Sequence, residues 1–303
     1  MGTRGFAAIS VAVLGLAVGR PAWADEKPPP PIPQHRIVYE NLFGVRVNPL
    51  GLEDQYGLSY RLRLYASDSL ALRDNAFAVG ISPTLSPAIS RFGGHVELRP
   101  LTVLSLQGGF YQVGYLGSFG SLQSFPDATA NYSDTRLDER EEAGQHYPTN
   151  GFEVHLRGLG LAKLGPIAVR SDTNAYYTDV DLHDGDTVYY HPRLDLLMPD
   201  RGWGLTSDED LAYVSDFGLV AGARYSVATA FVDGEGPGSI MRLGPLAAYT
   251  FFDEPGSTWN KPTLIAMFQW WLIHPYRTGA DTHQGLPYIA VAFRFDGELW
   301  KSD

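Results

Sequence analysis

Apolar and polar side chains alternate with a period of two along most of the chain after residue 36. In the clearest run, 55–64, every even position is apolar or aromatic and every odd position is polar, charged or glycine. Similar alternation recurs at 92–99 and 152–157. On a β-strand this spacing places one set of side chains on each face of the sheet. The pattern therefore predicts strands instead of helices.

Counting such runs predicts about twelve strands. The stretch 199–210 can hold additional strand, so roughly ten to fourteen strands fit the pattern. The fifth run changes phase at Gly108 and Gly109, which indicates a β-bulge or a misplaced strand. The predicted strands span 36–48, 55–66, 75–83, 88–99, 102–116, 149–161, 165–180, 186–198, 211–229, 239–252, 262–274 and 285–296.

The segments between the runs indicate an up-and-down path. The Asp-Gly dipeptides at 184–185 and 233–234 are strong hairpin signals. The connection at 163–166 is short, whereas 117–148 is long, polar and rich in acidic residues. If the N-terminus lies in the periplasm, this path places 117–148 outside the cell and 163–166 inside, which is the usual asymmetry of outer-membrane barrels.

The N-terminus has the three parts of a secretory signal peptide. Arg4 precedes an apolar run at 6–18, and small residues before Ala24 suit a cleavage site. No later stretch has 18 consecutive apolar residues, which excludes a transmembrane helix but not a barrel, whose strands face lipid with alternate residues only. We therefore predict a signal peptide at 1–24, a Pro-rich periplasmic leader at 25–35, a β-barrel at 36–296 and a tail at 297–303.

Composition narrows the function classes. Aromatic residues form 13% of the chain and cluster near strand ends, as at membrane interfaces, although a soluble β-sandwich can also be rich in them. The net charge of −11 argues against a nucleic-acid partner. The chain has no cysteine, which excludes disulfides and thiolate metal sites. It also has no zinc-ligand spacing, EF-hand loop or phosphate-binding glycine loop, so we expect no cofactor and no metal.

The last predicted strand carries the most specific marker. Tyr288, Ala290, Phe293 and Phe295 resemble the C-terminal signal that the assembly machinery reads on outer-membrane barrels. Ala290 stands where Gly is usual, and residues 296–303 follow the final aromatic. The resemblance implies an all-β transmembrane antiparallel up-and-down β-barrel in the bacterial outer membrane. It implies outer-membrane lipid and the barrel assembly machinery as partners.

The phases of the strands assign more arginines than carboxylates to the interior. An arginine facing lipid at mid-membrane would cost about 2–4 kcal/mol, which favours the inward assignment. Five acids are also assigned inward: Glu40, Glu97, Glu153, Asp172 and Asp195. A basic lumen attracts anions, so we expect a passive pore that prefers a small anionic solute. The predicted pore-lining residues are Arg46, Arg61, Arg63, Arg99, Arg157, Arg170, Arg193, Arg224, Arg242 and Arg294.

Two other functions fit the same sequence. Histidines lie beside carboxylates at 95–99, 153–157 and 191–195, which is suitable for acid–base chemistry in an outer-membrane enzyme acting on lipid or envelope substrates. No serine lies in a nucleophile-elbow pattern. Alternatively, the interior charges pair with one another in a closed structural or surface-interaction barrel, whose loop 117–148 meets a partner.

Overall fold

The computed structural model describes residues 32–232, 238–278 and 286–302. The predicted signal peptide, most of the Pro-rich leader and the Asp-Gly dipeptide at 233–234 lie outside the described residues. The strands are β1 (His35–Val47), β2 (Gly51–Leu62), β3 (Ala76–Ile81), β4 (Thr84–Leu85), β5 (Ile89–Leu101), β6 (Leu104–Leu116), β7 (Ser124–Phe125), β8 (Pro148–Leu164), β9 (Ile167–Val180), β10 (Val188–His191), β11 (Leu196–Pro199), β12 (Arg201–Val214), β13 (Leu219–Ala230), β14 (Ser239–Thr250), β15 (Asn260–Ile273) and β16 (Tyr288–Ser302).

Twelve antiparallel strand positions close into a barrel. Each strand pairs with its sequence neighbour in the wall, and β1 pairs with both β2 and β16, so no edge is left open. The short strands β3 and β4 together occupy one position between β2 and β5. The predicted all-β antiparallel barrel of about twelve strands is confirmed.

The outer face of the wall is largely apolar, with a polar cluster around Glu209 on β9 and β12, and the inner face is largely polar. On β3, Ala76 and Ala78 are buried, while Phe77 and Val79 are 40% and 47% exposed. On β5, Val96 is 48% exposed, whereas His95 faces the interior and is buried. A closed wall with an apolar exterior satisfies its backbone internally and presents hydrocarbon-compatible side chains to lipid.

The two chain ends of the barrel lie on the same side, since His35 pairs with Ser302. We refer to this as the periplasmic end. The long loop 117–147 lies at the opposite, extracellular end and contains β7 and the helix α1 (Asp134–Glu142). Within the described residues, no helix is both long enough and apolar enough to cross a membrane.

The prediction that 186–198 is a wall strand is wrong. This segment forms the hairpin β10–β11, which pairs with β7 in a separate three-stranded sheet. Tyr189, Leu196 and Leu197 are fully buried, because both faces of the hairpin are covered. The wall strand that replaces it is β12, in the stretch that the pattern had left open. The predicted strand 211–229 is accordingly two strands, β12 and β13, separated by a turn at 215–218.

The change of phase at Gly108 and Gly109 is not a bulge. Strand β6 keeps a regular register through this point with both β5 and β8, and a register shift with β5 occurs instead between Leu98 and Leu101. On the extracellular side of Gly109, the inward side chains of β6 are large, and there they face the β10–β11 hairpin that fills the lumen. The ring of Tyr115 lies 5.8 Å from that of Tyr189 on the hairpin.

The last strand is longer than predicted. Strand β16 continues to Ser302 and pairs with β1 over its whole length, so the segment predicted as a tail from 297 belongs to the wall. Tyr288 and Ala290 are buried on the inner face of this strand. Phe293 and Phe295 lie on the other face, in ring contact with each other at 6.0 Å.

Candidate functional site

The lumen holds a cavity of about 1700 Å³. It extends from the periplasmic end, where Ile32 and Lys301 border it, to the turn of the inner hairpin, where Arg193 and Leu194 border it. Nine arginines and three lysines line the cavity against seven carboxylates. The cavity is thus basic inside a chain whose net charge is −11.

The hairpin β10–β11 forms the extracellular boundary of the cavity. Arg46 of β1 donates hydrogen bonds to the backbone carbonyl oxygens of Pro192 and Arg193 at its turn. The Arg193 guanidinium in turn lies 3.4 Å from the carboxylate of Glu53 on β2. These contacts fix the hairpin turn against the wall between β1 and β2.

One side of the interior is a buried network of ion pairs. Arg170 contacts Asp172 and, at 3.2 Å, Asp210. Arg224 donates to the same Asp210 at 2.6 Å, and Arg157 lies 2.7 Å from Asp172. The side chains of Arg170 and Arg224 are only 0% and 2% exposed, so they support the wall of β9, β12 and β13 and are not available to a solute.

A second group of pairs lies at the periplasmic end. Arg99 lies 2.7 Å from Glu97 and 2.9 Å from Asp74, and Arg36 lies 3.1 Å from Asp74. Asp74 belongs to the periplasmic loop 63–75. Burial raises its pKa, but Arg99 and Arg36 outweigh that effect and lower the pKa to about 2. These side chains are 12–31% exposed, so a solute can approach them.

Four of the ten predicted arginines have no carboxylate of the described residues within 4.0 Å: Arg46, Arg61, Arg63 and Arg242. Arg63 donates to the carbonyl oxygen of Ile32. The Arg242 guanidinium lies 4.0 Å from the centre of the Tyr288 ring. Arg61 borders the cavity, and its buried Nε has no hydrogen-bond partner. Arg61 therefore keeps unused hydrogen-bonding capacity at the border of the cavity.

The structure places the ten predicted arginines in two classes. Six border the cavity: Arg61, Arg99, Arg157, Arg193, Arg242 and Arg294. Arg46, Arg170 and Arg224 are buried in contacts with the hairpin or the wall, and Arg63 lies against Ile32. Sequence reasoning missed three further arginines that border the cavity, namely Arg36, Arg73 and Arg91.

Sequence reasoning also missed inward-facing acids. Glu53, Asp208 and Asp210 all contact interior arginines. Asp208 and Asp210 lie in the stretch that had not been assigned to a strand, and Glu53 precedes the predicted start of the second strand. Residues 207–210 are all polar, so no alternation of apolar and polar side chains indicates which of them face the lumen.

In the predicted histidine clusters, neither His95 nor His155 has a hydrogen bond to a carboxylate of the described residues that would orient its ring for acid–base chemistry. His95 lies 2.7 Å from Ser82 Oγ through Nδ1, but its Nε2 faces Ser59 Oγ at 3.3 Å. His155 contacts Asn174 at 3.0 Å and Arg91 at 3.4 Å. In the third segment, His191 ends β10 and residues 192–195 form the hairpin turn. In the part of the chain that the structure describes, no group of three or more His, Asp or Glu side chains could hold a metal ion.

Neither known family models nor curated proteins match the chain. Among solved structures it is similar to the KdgM porin, with 10% identity and a TM-score of 0.39 over 87% of this chain and 99% of that chain. It is also similar to the outer membrane protein Omp33 of Acinetobacter baumannii, with 11% identity and a TM-score of 0.38 over 88% of this chain and 98% of that chain. A third similar structure is the CymD monoaromatic hydrocarbon channel, with 10% identity and a TM-score of 0.37 over 89% of this chain and 90% of that chain.

The chain is a β-barrel of the bacterial outer-membrane type. This conclusion rests on the closed antiparallel wall and its apolar exterior, both described above.

Proposed function

We propose that the protein is an outer-membrane channel that prefers small anionic solutes. The observation that carries the proposal is the excess of arginine and lysine over carboxylate around the cavity. Rings of basic side chains favour anions in membrane pores because they replace part of the hydration that the ion gives up. The whole chain has more acidic than basic residues, so the excess of basic side chains around the cavity does not follow from the overall composition.

Arg61 is the residue that we propose as the principal contact of the solute. Guanidinium groups bind carboxylates and phosphates with two parallel hydrogen bonds. The Arg61 guanidinium borders the cavity and has no carboxylate of the described residues within 4.0 Å. Arg157 and Arg294 border the same cavity with side chains 29% and 24% exposed, and each is already paired with a carboxylate. They add positive charge near Arg61 while keeping their own partners.

The test is the reversal potential in a planar bilayer under a salt gradient. We expect anion-selective currents, and we expect Arg61→Gln to reduce the selectivity. The matched control is Arg136→Gln on α1, which removes an equal charge from a side chain 46% exposed outside the lumen. Unselective currents, or equal effects of the two substitutions, would contradict the proposal.

We further propose that the outer face of β16 is read by the barrel assembly machinery. Phe293 and Phe295 lie together on that face, where β16 pairs with β1 and closes the barrel. Phe295→Ala should lower the amount of folded, heat-modifiable barrel recovered from outer membranes. The control is Phe92→Ala on β5, which removes an equally large lipid-facing ring that is 62% exposed. Equal recovery of the two variants would contradict this role.

A further inference from the structure

The extracellular end of the barrel is held together at one arginine. Arg277 lies in the segment after β15, and its side chain is 3% exposed. Its Nε donates to Asp195 Oδ2 at 2.6 Å, and its Nη2 donates to Asp195 Oδ1 at 3.0 Å. Asp195 is the last residue of the hairpin turn before β11 and is likewise 3% exposed. A buried two-pronged pair therefore joins the inner hairpin to the loop after β15.

The same guanidinium binds two other extracellular segments. It donates to Asp134, the first residue of α1, at 2.7 Å and 2.8 Å. It also donates to Asn48 Oδ1 in the β1–β2 turn at 2.8 Å. Four extracellular segments thus meet at Arg277: its own loop, the hairpin turn, α1 and the β1–β2 turn. The last three would each lose a hydrogen-bond partner if Arg277 moved.

Among the described strands, no pairing joins the hairpin to the wall, and the backbone hydrogen bond nearest to it runs from Val180 N–H of β9 to the carbonyl oxygen of Asp200, directly after β11. Within the described residues, β10 and β11 pair only with each other and with β7 of the long loop. The polar contacts between hairpin and wall are made at the hairpin turn: Arg46 of β1 donates to the turn carbonyls, and Arg193 of the turn lies against Glu53 of β2. The hairpin can therefore leave the lumen without breaking the ladder of the barrel.

Apolar packing keeps the hairpin in the lumen as the resting state. Leu196, Leu197 and Met198 are fully buried, and Tyr190 donates to Asp195 Oδ1 at 2.8 Å. The polar latch at Arg277 fixes the position of the hairpin within this packing. A buried pair of this kind is strongly destabilised when only one partner is removed, because the other charge stays buried without compensation.

From this arrangement we propose that the β10–β11 hairpin is a gate on the extracellular side of the channel and that the Asp195–Arg277 pair is its latch. The proposal rests on the channel function proposed above. In the closed state the hairpin turn roofs the basic cavity. Release of the latch lets the three-stranded sheet of β7, β10 and β11 move outward with the long loop and connects the cavity to the exterior.

The experiment compares single-channel recordings of the wild type, Arg277→Gln, Asp195→Asn and the double variant. We expect each single variant to raise the open probability about 5–150-fold, the range of a typical coupling between two states. We expect the effect of the double variant to be smaller than the two single effects multiplied together, because both substitutions break the same latch and the double variant leaves neither charge without its partner. The control is Arg201→Gln, which breaks the Arg201–Asp179 pair on the extracellular rim outside the lumen.

A second variant covers the case in which the latch substitutions prevent folding. Replacing 188–199 by a short Gly-Ser linker removes the gate and leaves all twelve wall strands intact. We expect this variant, once shown to be folded by heat-modifiable migration, to conduct continuously. Folded hairpin-deleted protein with the same open probability as the wild type would overturn the gate. A continuously open variant without anion preference would support the gate and overturn the proposed selectivity instead.

Discussion

Arg277 and Asp195 form a two-pronged ion pair whose side chains are each only 3% exposed, although both belong to extracellular segments. Their burial is a consequence of the inner hairpin, which carries Asp195 into the mouth of the barrel. The wall alone would leave both residues in water. The pair therefore couples the position of the hairpin in the lumen to the arrangement of the extracellular loops.

The charge state of Asp195 makes the latch insensitive to mild acid. Burial raises its pKa, but Arg277 and His274 outweigh this and hold the pKa well below its ordinary value. A carboxyl whose pKa is lowered by folding contributes stability above its ordinary pKa and loses it only as pH falls through the lowered value. We predict a constant open probability between about pH 5 and pH 8.

Three other ionisable side chains contact this pair: His274 and Tyr190 lie against Asp195, and Asp134 lies against Arg277. His274 Nε2 lies 3.3 Å from Asp195 Oδ2, so the recordings are repeated with His274→Gln. A pH dependence that persists in this variant would contradict the prediction that the latch is insensitive to mild acid. A flat profile in both proteins would support it.

The buried ion-pair network predicts a large effect on stability. Arg224→Met removes the guanidinium that holds Asp210 and Asp208, and leaves two inward carboxylates without that partner. We expect a loss of about 3–5 kcal/mol in the free energy of unfolding, measured by urea titration in lipid vesicles with tryptophan fluorescence.

The control for the network is an exposed pair of the same chemistry. Arg201→Met breaks the pair with Asp179, in which the arginine is 67% exposed. Exposed pairs contribute about 0–1 kcal/mol, so we expect little change. Similar losses in the two variants would contradict a structural role for the interior network.

The orientation of the wall predicts opposite results for two neighbouring substitutions. Val96→Arg places a charge on the lipid face near the middle of β5 and should cost about 2–4 kcal/mol of folding stability. Gln107→Arg places the same charge on β6 in the cavity beside Glu97, its neighbour in register with Gln107, and should be tolerated. Both are measured by the same urea titration. Equal costs would mean that the assigned faces are wrong.

The wall could be predicted from sequence because its two faces meet different solvents. In 55–62, lipid selects apolar side chains at even positions and the lumen selects small or polar ones at odd positions, so the alternation identifies the strand and its phase. The inner hairpin lacks this contrast, since Leu196, Leu197 and Met198 are all buried. A short apolar run of this kind looks like a wall strand.

The candidate site was predictable only in part for a related reason. The inward direction of Arg61 and Arg157 follows from strand phase, which is local. Whether an arginine is paired depends on the register between strands, as for Arg170 and Asp210, which are 40 residues apart in sequence. Sequence alternation gives no information about such pairings, so structural arginines could not be separated from arginines that are open to a solute.

The most direct test of the central claim is the reversal potential of the hairpin-deleted barrel under a salt gradient, with and without Arg61→Gln. We expect a reversal potential displaced toward that of the anion, and a clear shift toward zero when Arg61 is replaced. A potential near zero in the parent protein, or displaced toward that of the cation, would contradict an anion-preferring channel.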